Sequence, residues 1–478
     1  MGIPGWGSGE RGAGSPSAPT SGVRIHPMDQ VAVDEQTGAA ASGMERPLRV
    51  ALFTDMYGPG HSGLLYAVQF LEGELLKAGC EVQVVAPACD GPNPYRDHAL
   101  RTERRLKSMR IPGLPMAVAD GRGFEAALDA FAADPPDVIH VQGLGTVGLL
   151  GVWAADRLEV PLLVTWHTDF EAYAAHYAVL TPFIDAYYRL VKLSTHGMKR
   201  PTLQDMRRWM KVKWWKRGMS RRSLLNAARD MLEAADLVTT PSDKTATRVR
   251  ELAPSARIRV VPNGADALPT HPTTGRPPPT ASGPRILYVG RIAPEKNIQL
   301  LLEAFEWVRE EIPHAELVFV GDWNASSWLE AKLAIARRRG GVVLAGQIPR
   351  DELGPWYASG DVFAFPSLTD TQALVLHEAA HAGLPIVSVD HELRLVLDDG
   401  VNGAIARPTP ESLARQLVMM LHKLEDPAFK ATAQARSREM ASWWTIEHQS
   451  TAILELYRDL HARRPITESM RAVPPVEV

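Results

Sequence analysis

Residues 361–390 read DVFAFPSLTDTQALVLHEAAHAGLPIVSVD. The run DVFAFP is short, apolar and rich in aromatic and β-branched side chains, the composition of a strand buried in a parallel sheet. SLTDT is a polar turn whose hydroxyl and carboxylate side chains suit a helix cap. QALVLHEAAHA has helical periodicity, Gly383 supplies a left-handed stop, and LPIVSVD is the next strand. Strand, loop, helix, strand is one unit of a doubly wound sheet, which binds ligands outside the carboxyl ends of its strands. Asp370 and Glu378 are separated by about 12 Å along such a helix, at ~1.5 Å per residue. Backbone N–H groups at the helix start, around Thr371, Gln372, Ala373 and Leu374, favour an anion such as a diphosphate. The two carboxylates can accept hydrogen bonds from sugar or ribose hydroxyls. By residue type alone another assignment stays open: Asp370 or Thr371 merely caps the helix and Glu378 lies on a solvated face.

The same alternation extends upstream. RILYVG (285–290), RIAPEKN, the helical IQLLLEAFEWVREEI, the strand AELVFVGD, a helix through Lys332, the strand VVLAGQI and a helix RDELGPWYASG precede it. Residues 267–284 are rich in Pro and Thr and read as a linker. An earlier set begins with LRVALFTD (48–55), the glycine-rich loop MYGPGHSG and an amphipathic helix closed by Gly79. Strands CEVQVVAP, DVIHVQG and PLLVTWHTD alternate with helices, and LVTTPSDKTATRVREL adds another strand and helix. Glycine lets a phosphate approach the backbone, but the spacing is not the dinucleotide fingerprint G-x-G-x-x-G. His167 ends a strand, where either a packed turn histidine or a cleft-facing one is expected. Alternating strands and helices imply parallel sheets with right-handed crossovers. Two such halves on a linker place a cleft between them.

The chain has 478 residues, 45% hydrophobic and 22% charged, with a net charge of −3. That is globular, long enough for two or three domains, and without the basic footprint of a nucleic-acid binder. Two cysteines, Cys80 and Cys89, exclude a disulfide framework and point to a reducing compartment. No Cys/His cluster marks a metal site. Residues 1–46 are rich in Gly, Ser, Pro and Ala without an apolar h-region, and are expected to be a disordered extension.

Taken together, TDMYGPGHSGLLYAVQFLEGELLKAG, PDVIHVQGLG, PLLVTWHTDF, VTTPSDKTATRVREL, VVPNGAD, LYVGRIAPEKN, RDELGPWYASGDVFAFPSLTDTQALVLHEA and GLPIVSVD occur in one order and spacing. In them the chain resembles the retaining nucleotide-sugar glycosyltransferases of the GT-B fold. The likeness is to the glycosyl group 1 branch that includes phosphatidylinositol mannosyltransferases and glycolipid-forming enzymes. It implies an α/β protein of two Rossmann-like doubly wound domains facing across a cleft, at 47–266 and 285–445. A helix at 446–465 is expected to cross back to the first domain, followed by a tail at 466–478. The resemblance implies that Arg291 and Lys296 clamp the donor diphosphate. Asp370 would contact the donor sugar and Glu378 the ribose. His167 would also contact the sugar, and Gly63 with its preceding loop would lie against the phosphates. Gly346, Gln347 and Ile348 would position the base. No metal or other cofactor is expected. The implied reaction moves a hexose, with mannose from GDP-mannose as the leading donor, to a lipid or lipid-linked acceptor.

Three departures stand out. Ala373 occupies a place where relatives usually have glycine. Trp323, Asn324 and Ala325 replace a usual Gly-Pro. An insertion at about 188–229 carries RRWMKVKWWKRGMSRR (207–222), which as a helix groups Trp209, Trp214 and Trp215 among dense positive charge. That is the composition of an interfacial helix on an anionic membrane, expected on the acceptor side at the inner face of the plasma membrane. A tryptophan face packed on the domain is the alternative. A nucleotide-sugar epimerase and a catalytically silent nucleotide-sugar-binding paralogue remain alternatives of function.

Overall fold

The computed structural model describes residues 46–58, 63–88, 93–110, 117–119, 123–167, 217–270, 278–280, 283–322 and 327–462. The N-terminal extension, Trp209, Trp214, Trp215, the loop at Trp323 and the tail lie outside the described residues, as do residues 59–62 before Gly63.

Fifteen strands are seen among the described residues: β1 (Arg49–Phe53), β2 (Glu81–Pro87), β3 (Arg101–Leu106), β4 (Ser108–Arg110), β5 (Ala117–Ala119), β6 (Val138–Val141), β7 (Leu162–Thr165), β8 (Leu237–Thr240), β9 (Ile258–Val260), β10 (Arg285–Val289), β11 (Glu316–Val320), β12 (Val342–Gly346), β13 (Val362–Phe365), β14 (Ile386–Ser388) and β15 (Gly403–Ile405). They form a seven-stranded sheet in the order β3-β2-β1-β6-β7-β8-β9, a six-stranded sheet in the order β12-β11-β10-β13-β14-β15, and a small β4-β5 ribbon. Both large sheets are parallel throughout, and only the ribbon is antiparallel. In each sheet the strand order reverses beside the first strand, at β1/β6 and at β10/β13. A crevice opens at such a switch point because the flanking loops diverge to opposite faces.

Both faces of each sheet are covered, so the strands need no polar side. Ala51 and Phe53 of β1 enter one apolar cluster, while Val50 and Leu52 enter another. Ile286 and Tyr288 of β10 face one cluster, and Leu287 and Val289 the opposite one. The edge strand β3, RTERRL, is charged and alternately exposed, which hides it from any search for apolar runs. The last helix, Ile446–His461, places Ile453, Leu456, Tyr457 and Leu460 in the core of the first half, beside the helix Gly63–Lys77.

One expected element is divided. RDELGPWYASG is a 3-10 turn, Arg350–Glu352, followed by a short helix, Gly354–Ala358. Pro355 can start a helix but cannot continue one. A Cβ on Gly354 would stand 1.8 Å from the carbonyl oxygen of Pro269, so the backbone is pressed against the linker there.

Candidate active site

The loops after β10 and β13 meet at the second switch point. Pro294–Lys296 is a 3-10 turn, and Asn297 follows in the left-handed region at φ 56°. This turn aims Lys296 Nζ at Asp370 Oδ1, 2.5 Å away. Thr369 Oγ1 donates to the Glu295 carbonyl at 3.0 Å and ties the two loops together. Arg291 pairs with Glu295 at 2.6 Å. Burial works to raise the Asp370 carboxyl, but the Lys296 ammonium overrides it and holds the group below its ordinary range. Asp370 Oδ2 is enclosed and makes no close hydrogen bond among the described residues, and Ser367 and Lys244 also help to hold this carboxyl in its charged form.

The helix start differs from the capping expectation. The residue before Leu374–His381 is Ala373, at φ 64° and ψ 87°, and no side chain caps the helix. Asp370 is committed to Lys296. Thr371 and Gln372 bond across to the first half instead. Thr371 Oγ1 donates to the His167 carbonyl at 2.9 Å, and the Thr371 carbonyl accepts from Thr245 Oγ1 at 3.1 Å. Gln372 makes a two-way amide pair with the backbone of Asn263, at 2.6 and 2.8 Å. The first N–H groups of the Leu374 helix therefore have no side-chain cap, which suits an anion. Gly63 begins the facing helix, and a Cβ there would come within 3.9 Å of Leu374. The positive ends of two helices thus approach one another across the halves.

Glu378 is buried rather than solvated. Arg350 meets its Oε1 at 2.9 Å, and the Tyr357 hydroxyl donates to Oε2 at 2.8 Å. The same Arg350 guanidinium lies 4.6 Å from the Phe70 ring and 5.5 Å from the Tyr66 ring, both on the Gly63 helix. Gly346 has φ 78°, and its carbonyl accepts from Gly321 at 2.9 Å. Gly346 and Gln347 are exposed, while Ile348 packs against the core.

His167 follows β7 in the first half. Its Nε2 lies 2.6 Å from Gln142 Oε1, and burial lowers its pKa to about 4, so it is neutral at pH 7. Asp370, Lys296, the two helix starts and His167 are thus linked through one set of loops.

Sequence reasoning missed several residues that join the halves. Lys244 is buried and pairs with Asp390, and it donates to the Leu368 carbonyl at 2.9 Å. A lysine in the first turn of a helix reads as surface charge until packing encloses it. Ser242, recognisable as a helix cap, accepts from Thr245 N and also donates to the Thr371 carbonyl. Arg350, Tyr357 and Gln142 lie within the stretches RDELGPWYASG and PDVIHVQGLG, but the sequence assigned none of them a role. Among the described residues no group of three or more His, Cys, Asp or Glu could hold a metal, and no helix is long and apolar enough to cross a membrane.

Two parallel α/β sheets with their switch-point loops turned to a shared cleft define the GT-B class of glycosyltransferases. Solved structures agree on the fold: sucrose-phosphate synthase from Thermosynechococcus elongatus superposes with a TM-score of 0.61 at 20% identity, covering 87% of this chain and all of that one. WaaG, a glycosyltransferase involved in lipopolysaccharide biosynthesis, gives 0.58 at 15% identity, over 85% of this chain and 99% of the other. Residues 283–423 match the family model for glycosyl transferases group 1, and residues 66–267 match that for glycosyltransferase family 4. The chain belongs to these glycosyltransferases. Among curated relatives, alpha-monoglucosyldiacylglycerol synthase of Streptococcus pneumoniae is 26% identical over 81% of this chain and 83% of its own length. A GDP-mannose-dependent alpha-mannosyltransferase of Mycobacterium tuberculosis is 28% identical over 72% of this chain and 79% of its own.

Proposed function

We propose that this glycosyltransferase moves a hexose, with retention, from a nucleoside diphosphate sugar to a hydroxyl of a lipid or lipid-linked acceptor. The observation that carries this reading is the meeting of the Gly63 and Leu374 helix starts beside the Lys296–Asp370 pair. Such a place suits a diphosphate flanked by sugar hydroxyls. Breaking the sugar–phosphate bond builds positive charge on the sugar and negative charge on the departing diphosphate. Arg291, Lys296 and the helix starts stabilise the second as preorganised electrostatics. Asp370 and the neutral His167 bind and orient the sugar, and Glu378 takes the ribose. In a front-face displacement the acceptor oxygen bonds to the anomeric carbon as the carbon–phosphate-oxygen bond breaks. The acceptor proton passes to the departing diphosphate.

Relatives named as alpha-glucosyl and alpha-mannosyl transferases support retention, since the common donors of both sugars are α-linked. Mannose from GDP-mannose and glucose from a nucleoside diphosphate glucose are the donors to try first. Incubation with each and with diacylglycerol or phosphatidylinositol should release nucleoside diphosphate and give an α-anomeric product by NMR. A β-anomer would overturn retention, and release without a lipid product would overturn the acceptor class.

Membrane contact through Trp209, Trp214 and Trp215 belongs to the same reading, and rests on the basic sequence 207–222. Flotation with phosphatidylglycerol-rich vesicles should be weakened by salt and lost when all three become Ser. A second reading, nucleotide-sugar binding without turnover, is favoured by one observation: Ala373 in a backbone region that favours glycine. It predicts donor binding with no diphosphate release for any acceptor.

A further inference from the structure

We propose that Gln142 is a positioning residue: held by His140, which Tyr457 of the last helix holds in turn, it fixes His167 as the Nε2–H tautomer and leaves Nδ1 to accept a hydrogen bond from a donor-sugar hydroxyl. This rests on the reading of His167 as a sugar contact.

The geometry is a continuous buried chain. Tyr457 OH lies 2.6 Å from His140 Nδ1. His140 Nε2 lies 2.6 Å from Thr165 Oγ1, which lies 2.6 Å from Thr239 Oγ1. The Gln142 amide nitrogen lies 3.0 Å from His140 Nδ1, and its oxygen lies 2.6 Å from His167 Nε2. Tyr457, His140 and Gln142 are all almost fully buried, so each polar atom has to find its partner within the protein.

The placement of the Gln142 amide selects the proton on His167. An amide nitrogen only donates and an amide oxygen only accepts. The Gln142 amide nitrogen reaches both His140 ring nitrogens, 3.0 Å from Nδ1 and 3.2 Å from Nε2, and a neutral imidazole keeps one of the two bare in either tautomer. In this placement the amide nitrogen can donate to that bare nitrogen, whereas the opposite placement sets the amide oxygen beside its lone pair. The amide oxygen faces His167 at 2.6 Å, and an oxygen that only accepts requires Nε2 to carry the proton. His167 is also pinned from the other half, where Thr371 Oγ1 donates to its carbonyl. Among the described residues Nδ1 is left without a hydrogen-bond partner.

The Ile446–His461 helix thereby reaches the sugar side of the cleft without touching it. It follows the second half in sequence, yet Tyr457 packs its ring edge-on to His140 in the first half, with centroids 5.6 Å apart.

The test uses the full chain with 15N-labelled histidine. His167 resonances are assigned by their loss in His167→Asn. At pH 7 the folded wild type should show Nε2 protonated and Nδ1 bare, and Gln142→Met should give a mixture of tautomers or the Nδ1–H form. Tyr457→Phe, which deletes one hydroxyl and leaves the ring packing, should move the same resonances less. Wild-type His167 with Nδ1 protonated, or a tautomer unmoved by Gln142→Met, overturns the proposal. In transfer assays Gln142→Met should lower kcat about tenfold or more, as misplacement of a sugar-holding group does, with donor KM moving less than about twofold. Equal change in both parameters would also overturn it. A wild type that holds the Nε2–H tautomer but transfers no sugar would defeat the proposed function and leave the tautomer assignment standing. Should Gln142→Met not fold, Tyr457→Phe carries the decision: no change in any His140 or His167 resonance ends the proposal.

Discussion

Asp370 and Glu378 sit at the two ends of one helix start, and each faces a cation, but they are anchored in different ways. Asp370 meets Lys296 from the neighbouring loop of the same half. Glu378 meets Arg350 from its own half, and Arg350 in turn lies against Phe70 of the opposite half. The first carboxylate is therefore set by local loop geometry. The second has both oxygens occupied and is coupled to the packing between halves. Similar charge pairs are thus held differently: one within the loops of a single half, the other against side chains of the opposite half.

The comparison breaks most sharply at Asp370. Asp370→Asn should keep the fold and lower transfer by about 100-fold or more, the scale of removing one preorganised electrostatic partner. A melting temperature near wild type with lost turnover is the expected pair of results. Full turnover would remove Asp370 from the site.

Next come its cationic neighbours. Arg291→Ala and Lys296→Ala should each weaken nucleoside diphosphate binding by about 1.5–3 kcal/mol, the range for hydrogen bonds to charged groups. Calorimetry with the bare nucleoside should show little change. Equal losses for both ligands would take these side chains off the diphosphate.

Glu378→Gln should weaken nucleotide binding by about tenfold, close to 1.4 kcal/mol. It should also loosen Arg350 from Phe70, which amide exchange in the Gly63 helix would register as faster opening. Asp370→Asn should leave that exchange unchanged. If both variants accelerate it equally, the distinction between a local and a bridging carboxylate is lost.

The smallest effect is expected between the two carboxylates. Ala373 holds φ 64°, where an L side chain costs roughly 1–2 kcal/mol. Ala373→Gly relieves that strain but gives back part of it through the larger entropy of unfolded glycine. A net gain of about 1 kcal/mol in urea unfolding is expected. A loss would mean that the Ala373 methyl contributes more by packing than its backbone costs.

Much of the architecture was legible because local pattern and global fold agree. Apolar runs such as VFAF and RILYV are buried on both faces in parallel sheets, and Gly79 and Gly383 stop their helices at φ 79° and 83°. Where reading failed, a distant contact had overruled a local preference. The SLTDT turn has the chemistry of a cap, yet Thr371 and Gln372 bond to His167 and Asn263. RTERRL looks like surface and is a strand, because Arg101 and Glu72 neutralise one another in the core at 2.5 Å. Lys244 looks solvated and is enclosed by the second half.

The sequence by itself determined the repeating strand–helix units and the glycine stops. These follow from periodicity and side-chain chemistry within a few turns of chain. The tertiary structure alone decided which carboxylate is tied to the opposite half, which oxygen of Asp370 meets Lys296, and which way the Gln142 amide points. Each of those depends on atoms brought together from positions far apart in sequence, where burial removes water and each donor and acceptor has to be met from within the protein.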